Sequence, residues 1–272
     1  MNLRVAALVA AASLVLTSCA TQRGADTVAL DRLLTASHRT AESRARDSQR
    51  HPSATLSFFG IRDDMTVVEV WPGGGWYTEL LAPLLRERGH LYAAHLDPAS
   101  SEYARKTVDA FRAKLAARPD VYDKVVVTTL AAPPAVNAIA PPASADMVVT
   151  FRNLHNWMMF GWQREAVEAM HAALKPGGIL GVVEHRADPE RQPDPKAASG
   201  YVPESYAIEL IESVGFKLVA ASQVNANPED TKDYEKGVWT LPPTFAAGAQ
   251  NRDRYAAIGE SDRFTLKFVK VK

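Results

Sequence analysis

"VVEVWPGGGWYTELL", Val67 to Leu81, decides the fold. Its first four residues, with Met65 and Thr66 before them, are mostly of the β-branched kind that fills a pleated strand. Trp71 and Pro72 follow, then three successive glycines, Gly73, Gly74 and Gly75. The continuation "WYTELLAPLLRERG" (76–89) sets Leu80, Leu81, Leu84 and Leu85 on one helical face, with Pro83 expected to kink it. Strand, glycine loop and helix in that order make a βα unit. Glycines at such a turn let backbone approach a ligand closely, because no Cβ stands in the way.

Working outward, the alternation continues. "HLYAAHL" (90–96), "DKVVVTTL" (123–130), "ADMVVTF" (145–151), "ILGVVEH" (179–185) and "FKLVAAS" (216–222) read as strands. Between them, 100–118 begins with a serine cap and an early Glu102, and 161–174 and 203–215 also carry helical spacing. Apolar strands separated by helices predict a parallel sheet covered on both faces, and right-handed crossovers make it doubly wound. "RFTLKFVKVK" (263–272) alternates as an antiparallel last strand does. The expected architecture is therefore α/β: a mostly parallel seven-stranded sheet with an N-terminal helical extension. That extension, Val28 to Arg50, reads as one helix stopped by Pro52. About 40 irregular residues separate the last two strands, a length that is usually functional or partly disordered.

With 272 residues, 47% of them hydrophobic, the chain suits one sizeable domain behind a leader. Basic and acidic residues number 31 each and form no basic block, so nucleic-acid binding is not expected. Arg4 precedes the apolar run "VAALVAAASLVL" (5–16), too short to span a membrane but long enough for export. "LTSC" (16–19) resembles the bacterial lipobox, which implies cleavage before Cys19 and acylation of its thiol. Cys19 is the single cysteine of the chain, so no internal disulfide competes for it. The expected divisions are 1–18 as signal peptide, 19–52 as tether and helical lid, and 53–272 as the main domain. The expected location is the periplasmic face of a Gram-negative envelope, with Ala20 after the cysteine pointing to the outer membrane. The lipid would be the only membrane contact.

Two phosphate-binding patterns fail on the glycine loop. Gly73 and Gly75 begin G-x-G-x-x-G, but Thr78 holds the third position, and no G-K-[ST] follows. The stretch is more similar to the first motif of the class I S-adenosylmethionine-dependent methyltransferases, acid-x-G-x-G-x-G. On that alignment Glu69 is the acid, Trp71 stands at the first glycine, and Gly73 and Gly75 take the other two. Asp97, after the second strand, matches the acidic residue that binds the ribose hydroxyls. "ADMVVTFRNLHNW" and "LKPGGILGVVEH" resemble later motifs of the superfamily. More narrowly, residues 46–83 resemble exported bacterial proteins of this superfamily with the same leader. The resemblance implies S-adenosylmethionine as cofactor and transfer of a methyl group to a small-molecule acceptor. It assigns cofactor binding to Glu69, Trp71, Gly73, Gly74, Gly75, Asp97, Arg152 and Asn153. The indole of Trp71 would either stack on a ligand or fill the space of the methionine.

Methyl transfer needs in-line placement, and a base where the acceptor carries a proton. Arg152, Asn153, His155, Asn156 and Trp157 follow the fourth strand, and His155 is the candidate base or a capping histidine. Glu184 and His185 end the fifth strand and are placed to face the same cleft. No close-spaced ligand motif is present, so no metal is expected, although His155, Glu184 and His185 are the residues a metal would draw on. Arg44, Arg46, Asp47, Arg50 and His51 are either a solvated charged face or a lid, with Arg46 or Arg50 meeting an anionic group. "VWTLPPTF" (238–245) is either an acceptor wall or packing. The alternative to an enzyme is an exported, lipid-anchored binding protein that keeps a modified form of the fold.

Overall fold

The computed structural model describes residues 28–135 and 138–271; the leader, Cys19 and the rest of the tether lie outside them. Seven strands form one sheet in the order β3-β2-β1-β4-β5-β7-β6. They are β1 Thr66–Val70, β2 His90–His95, β3 Val125–Thr129, β4 Ala145–Phe151, β5 Leu174–His185, β6 Phe216–Ser222 and β7 Arg263–Lys270. β1 runs parallel to both β2 and β4, while β7 lies antiparallel between β5 and β6. Strand order reverses between β1 and β4, which places a crevice at their carboxyl ends.

Helices cover both faces. α5 (Thr78–Leu85), with Pro83 inside it, buries Leu80, Leu81, Leu84 and Leu85. It shares a core with Val67, Met147, Val149 and α4 (Pro52–Phe59). The opposite face buries Val68, Val148 and Leu180 beneath α9 (Gln163–Ala173) and α10 (Glu204–Glu212). Gly181 in β5 shows how closely the layers meet. A Cβ there would stand 2.7 Å from the Phe59 ring, so only glycine lets that aromatic lie flat on the sheet.

The N-terminal extension is not one helix. It is helical over 28–34, here α1, then over α2 (Ala41–Ala45) and α3 (Asp47–Arg50). Thr40 caps α2 by accepting from Ser43 N at 3.1 Å. His51 is left-handed at φ 42°, and Pro52 opens α4 instead of only ending what precedes it. α6 (Glu102–Ala117) is capped by Ser101 as expected, with α7 (Pro119–Tyr122) after it. The stretch before β5 holds two helices, α8 (Leu154–Phe160) and α9, where one was expected. β5 begins at Leu174, five residues before the "ILGVVEH" expected as strand, with its register against β4 shifting between Ala145 and Met147. The long segment before β7 contains a 3-10 turn at Gly237–Thr240 and α11 (Arg252–Ile258). Among the described residues no helix is long and apolar enough to cross a membrane.

Candidate functional site

A cleft of about 410 Å³ opens at the carboxyl ends of β1 and β4. Its floor is the glycine loop, its back is Phe151 to Asn153, and its roof is α2 and α3 with Ser43, Arg46 and Arg50. A second hollow of about 360 Å³ lies around Arg86, Arg88 and His90. It sits at the amino end of β2, the wrong end for ligands in an open α/β sheet.

Local chemistry shapes the floor. A Cβ at Gly73 or Gly74 would meet nothing within 4 Å, so the floor there is open. Gly75 differs: at φ +76° its Cβ would stand 2.9 Å from Phe111 of α6. Lys114 of α6 secures the loop by donating to Gly74 O at 2.9 Å and reaches Glu79 at 2.6 Å. Glu69 lies beneath, 2% exposed, accepting from Thr78 Oγ1 at 2.6 Å. Burial pushes its carboxyl up to about 7, against the pull of that hydrogen bond.

Trp71 is left-handed at φ 48°. Its Nε1 donates to Leu130 O at 3.0 Å, and its ring meets Trp157 and Trp162, each at 5.5 Å. The indole borders the cleft yet is fixed edge-on among aromatics. Asn153 also borders it, donating to Val70 O at 2.9 Å, so it holds the ends of β1 and β4 together. Asp97 is outside the lining. Its Oδ1 accepts from Ala99 N at 2.9 Å, the local bond that an Asp-Pro turn favours. That bond occupies one carboxylate oxygen and leaves Oδ2 for the ribose contact expected of Asp97. His95 is the buried group at the end of β2, with its Nε2 3.0 Å from Gly73 O. Burial holds that imidazole below its ordinary value.

The roof is tied down by ion pairs. Arg39, 2% exposed, grips Asp47 with two bonds of 2.7 and 2.8 Å and reaches Glu79 at 3.3 Å. Glu260, just before β7, takes Arg46, Arg50 and Arg263 at 2.8, 3.0 and 2.9 Å. Burial alone would raise the Glu260 carboxyl, but Arg50, Arg263, Arg152 and Arg46 bring it down to about 2. Burial and then Arg152 hold the Arg50 guanidinium well below its ordinary value. Arg50 also lies over the Trp76 ring at 4.7 Å. Arg152, at φ 61°, has Nη1 buried with no hydrogen-bond partner. Positive charge therefore exceeds negative charge around the cleft.

His155 is not among the residues lining the cleft. It is 4% exposed at the start of α8, with Nδ1 3.0 Å from Glu184 Oε1. His185 follows Glu184, its Nδ1 paired with Ser261 Oγ and its ring 5.3 Å from that of His155. Burial and then the neighbouring His155 keep the His185 imidazole well below its ordinary value. Of "VWTLPPTF", Val238, Thr240 and Leu241 are buried, and Trp239 stands edge-on to His155 at 5.9 Å. Asn156 and Trp157 do not line the cleft either, the indole of Trp157 being core.

No protein-family model and no curated protein matches the sequence. Solved structures do. An S-adenosylmethionine-dependent methyltransferase from Aquifex aeolicus superposes with TM-score 0.56 over 84% of this chain and 93% of its own, at 16% identity. The [4+2]-cyclase SpnF gives 0.54 over 82% and 80% at 15% identity. The 1,6-didemethyltoxoflavin-N1-methyltransferase of Burkholderia thailandensis, solved with bound 1,6-didemethyltoxoflavin and S-adenosylhomocysteine, gives 0.50 over 83% and 78% at 14% identity. The chain has the class I methyltransferase fold.

A cyclase with the same architecture shows that this fold does not fix the reaction. Within the methyltransferase fold, the sequence reading missed Glu260, Arg263 and Glu79 as organisers of the cleft. Glu260 closes pairs across |i−j| of 210 and 214 positions, a distance over which no local pattern speaks. Arg46 and Arg50, read as either a solvated charged face or part of a lid, both border the cleft and pair with Glu260.

Proposed function

We propose that the protein is an S-adenosylmethionine-dependent methyltransferase acting on a small-molecule acceptor, exported and held at a membrane by a lipid on Cys19. One observation carries the activity: an open-floored glycine cleft lies where strand order reverses in a methyltransferase fold. The residues present suit the methionine end of the cofactor. Backbone at Gly73 and Gly74 is free of side chains, and Arg152 offers a buried, unpartnered Nη1 suited to a carboxylate. Glu69 and Asn153 brace that floor, and Trp71 walls it. When bound, S-adenosylmethionine supplies an electrophilic methyl group. The chain then has to align the acceptor and keep water out, and the roof of Arg46, Arg50 and Trp76 is built for both. The excess of guanidinium groups favours an anionic acceptor. No base is assigned among the cleft residues, because His155 lies outside the lining.

Calorimetric titration with S-adenosylmethionine and S-adenosylhomocysteine tests this reading. Saturable binding of both is expected, and heat from neither would refute it. One observation favours a second reading, a binding protein on a modified fold: Trp71 is locked edge-on beside the glycine loop. That reading takes over if the titration is silent. The anchor rests on the sequence. Palmitate labelling should be lost in Cys19→Ala, and labelling retained there would remove the lipid from the account.

A further inference from the structure

We propose that His155, Glu184 and His185 form a binding site for one divalent transition-metal ion of the zinc type, at the carboxyl ends of β4 and β5. Each offers one ligand atom, and the three lie within 4.8 Å of one another. Two imidazoles and a carboxylate suit zinc and its neighbours rather than calcium or magnesium, which prefer oxygen. In a tetrahedral site with bonds of about 2.1 Å, ligand atoms stand roughly 3.4 Å apart. His155 Nδ1 and Glu184 Oε1, at 3.0 Å, are already at that spacing. The other separations are within 4.8 Å, so shifts of about an ångström bring the three ligand atoms to that spacing.

The charge balance points the same way. Glu184 is fully buried, and its sole ion-pair partner among the described residues is His155. Backbone N–H groups of His155 and His185 donate to it at 3.3 and 2.8 Å, but neither brings a full charge. Arg50 and Arg263 are committed to Glu260 instead. A cation between the three residues would give this buried carboxylate a full counter-charge. A structural His–Glu pair would need no second imidazole. Here His185 is held in place by Ser261, the outer partner that metal-binding histidines characteristically have.

His185 is half-buried, so part of the residue reaches solvent, which can supply a fourth ligand. Three protein ligands and one open position are the pattern of catalytic rather than structural zinc. Water would take that fourth position in the free protein. In that role His155 is a metal ligand and not a free base.

The test uses the untagged full chain, stripped with a chelator and titrated with Zn²⁺ by calorimetry and with Co²⁺ by visible absorption. One equivalent should bind, with the ligand-field bands of a four- or five-coordinate Co²⁺ site. Ser261→Ala keeps all three ligands and should weaken binding about 10–100-fold. His185→Ala should abolish the Co²⁺ bands and the Zn²⁺-dependent rise in melting temperature. Binding below one equivalent in the wild type, or equal affinity in wild type, Ser261→Ala and His185→Ala, would overturn the site. Metal binding is read without the cofactor, so its failure leaves the methyl-transfer reading standing, and the converse holds.

Discussion

Glu69→Gln should make the protein more stable in mildly alkaline buffer and leave it little changed near pH 4.5. Glu69 is buried under the glycine loop, and its carboxyl is raised from 4.5 to about 7 by that burial. The ionised form is thus disfavoured in the folded chain but not in the unfolded one. Below pH 4.5 both states hold the proton and the group contributes nothing to the balance. As pH rises from 4.5 to 7 the unfolded state gives up its proton first, so stability falls across that window and the loss is complete above it. At about 1.4 kcal/mol for each tenfold change in proton affinity, the loss is about 3 kcal/mol. That is a large part of the roughly 5–15 kcal/mol that holds a domain folded. Glutamine keeps an oxygen to accept from Thr78 Oγ1 and cannot ionise. Urea unfolding at several pH values, with wild type and variant compared at each, removes the histidines and other shared titrations from the difference. The variant's advantage should grow from near zero at pH 4.5 to about 2–3 kcal/mol at pH 8. A difference that stays flat with pH would refute the account of Glu69 as a carboxylate ionised at a cost.

Glu260→Gln keeps the shape of the roof but leaves Arg50 and Arg263 buried without a counter-charge, and a loss of about 3–5 kcal/mol is expected in chemical denaturation. In the wild type the same carboxyl, held near 2 rather than 4.5, gives stability that is complete above pH 4.5 and is lost as pH falls towards 2. An acid-unfolding curve unchanged in Glu260→Gln over that range would contradict the pairing. Gly75→Ala should cost at least about 2 kcal/mol, by thermal melting, because its φ of +76° and the 2.9 Å approach to Phe111 both penalise a Cβ. Asp97→Ala should weaken S-adenosylhomocysteine binding by about 10-fold or more, because Oδ2 is left to accept from a ribose hydroxyl. A loss below about 3-fold by calorimetry would remove the ribose contact from Asp97.

Strand positions were legible because fully buried parallel strands are short apolar runs between turn residues. "ADMVVTF" needed no correction, and "MTVVEV" and "FKLVAAS" needed a residue at most. The break of the N-terminal extension was not legible. Residues 28–50 have helical composition, and what divides them is tertiary: Arg39 turns inward to meet Asp47 and Glu79. The segment between β6 and β7 looked structureless because its order comes from single polar contacts. Asn225 donates to Thr55 and Thr265, and Asp230 accepts from Tyr201 and from Asp262 N. Trp71 was identified as the departure from the glycine motif, but its direction was set by Leu130 and two other tryptophans far along the chain. The same holds for His155, Glu184 and His185, which are spread over 31 positions and meet only because β4 and β5 are neighbours.

The three arginines gathered by Glu260 join the chain's beginning to its end. Arg46 and Arg50 come from the opening helices, while Arg263 starts a strand inserted between two others that precede it in the chain. Until that final strand is synthesised and threaded between β5 and β6, only the ties of Arg39 and Ser43 to Glu79 hold the roof. Assembly of the binding cleft is thereby made a test of completeness, and a chain cut short before Glu260 would leave Arg46 and Arg50 without their shared carboxylate.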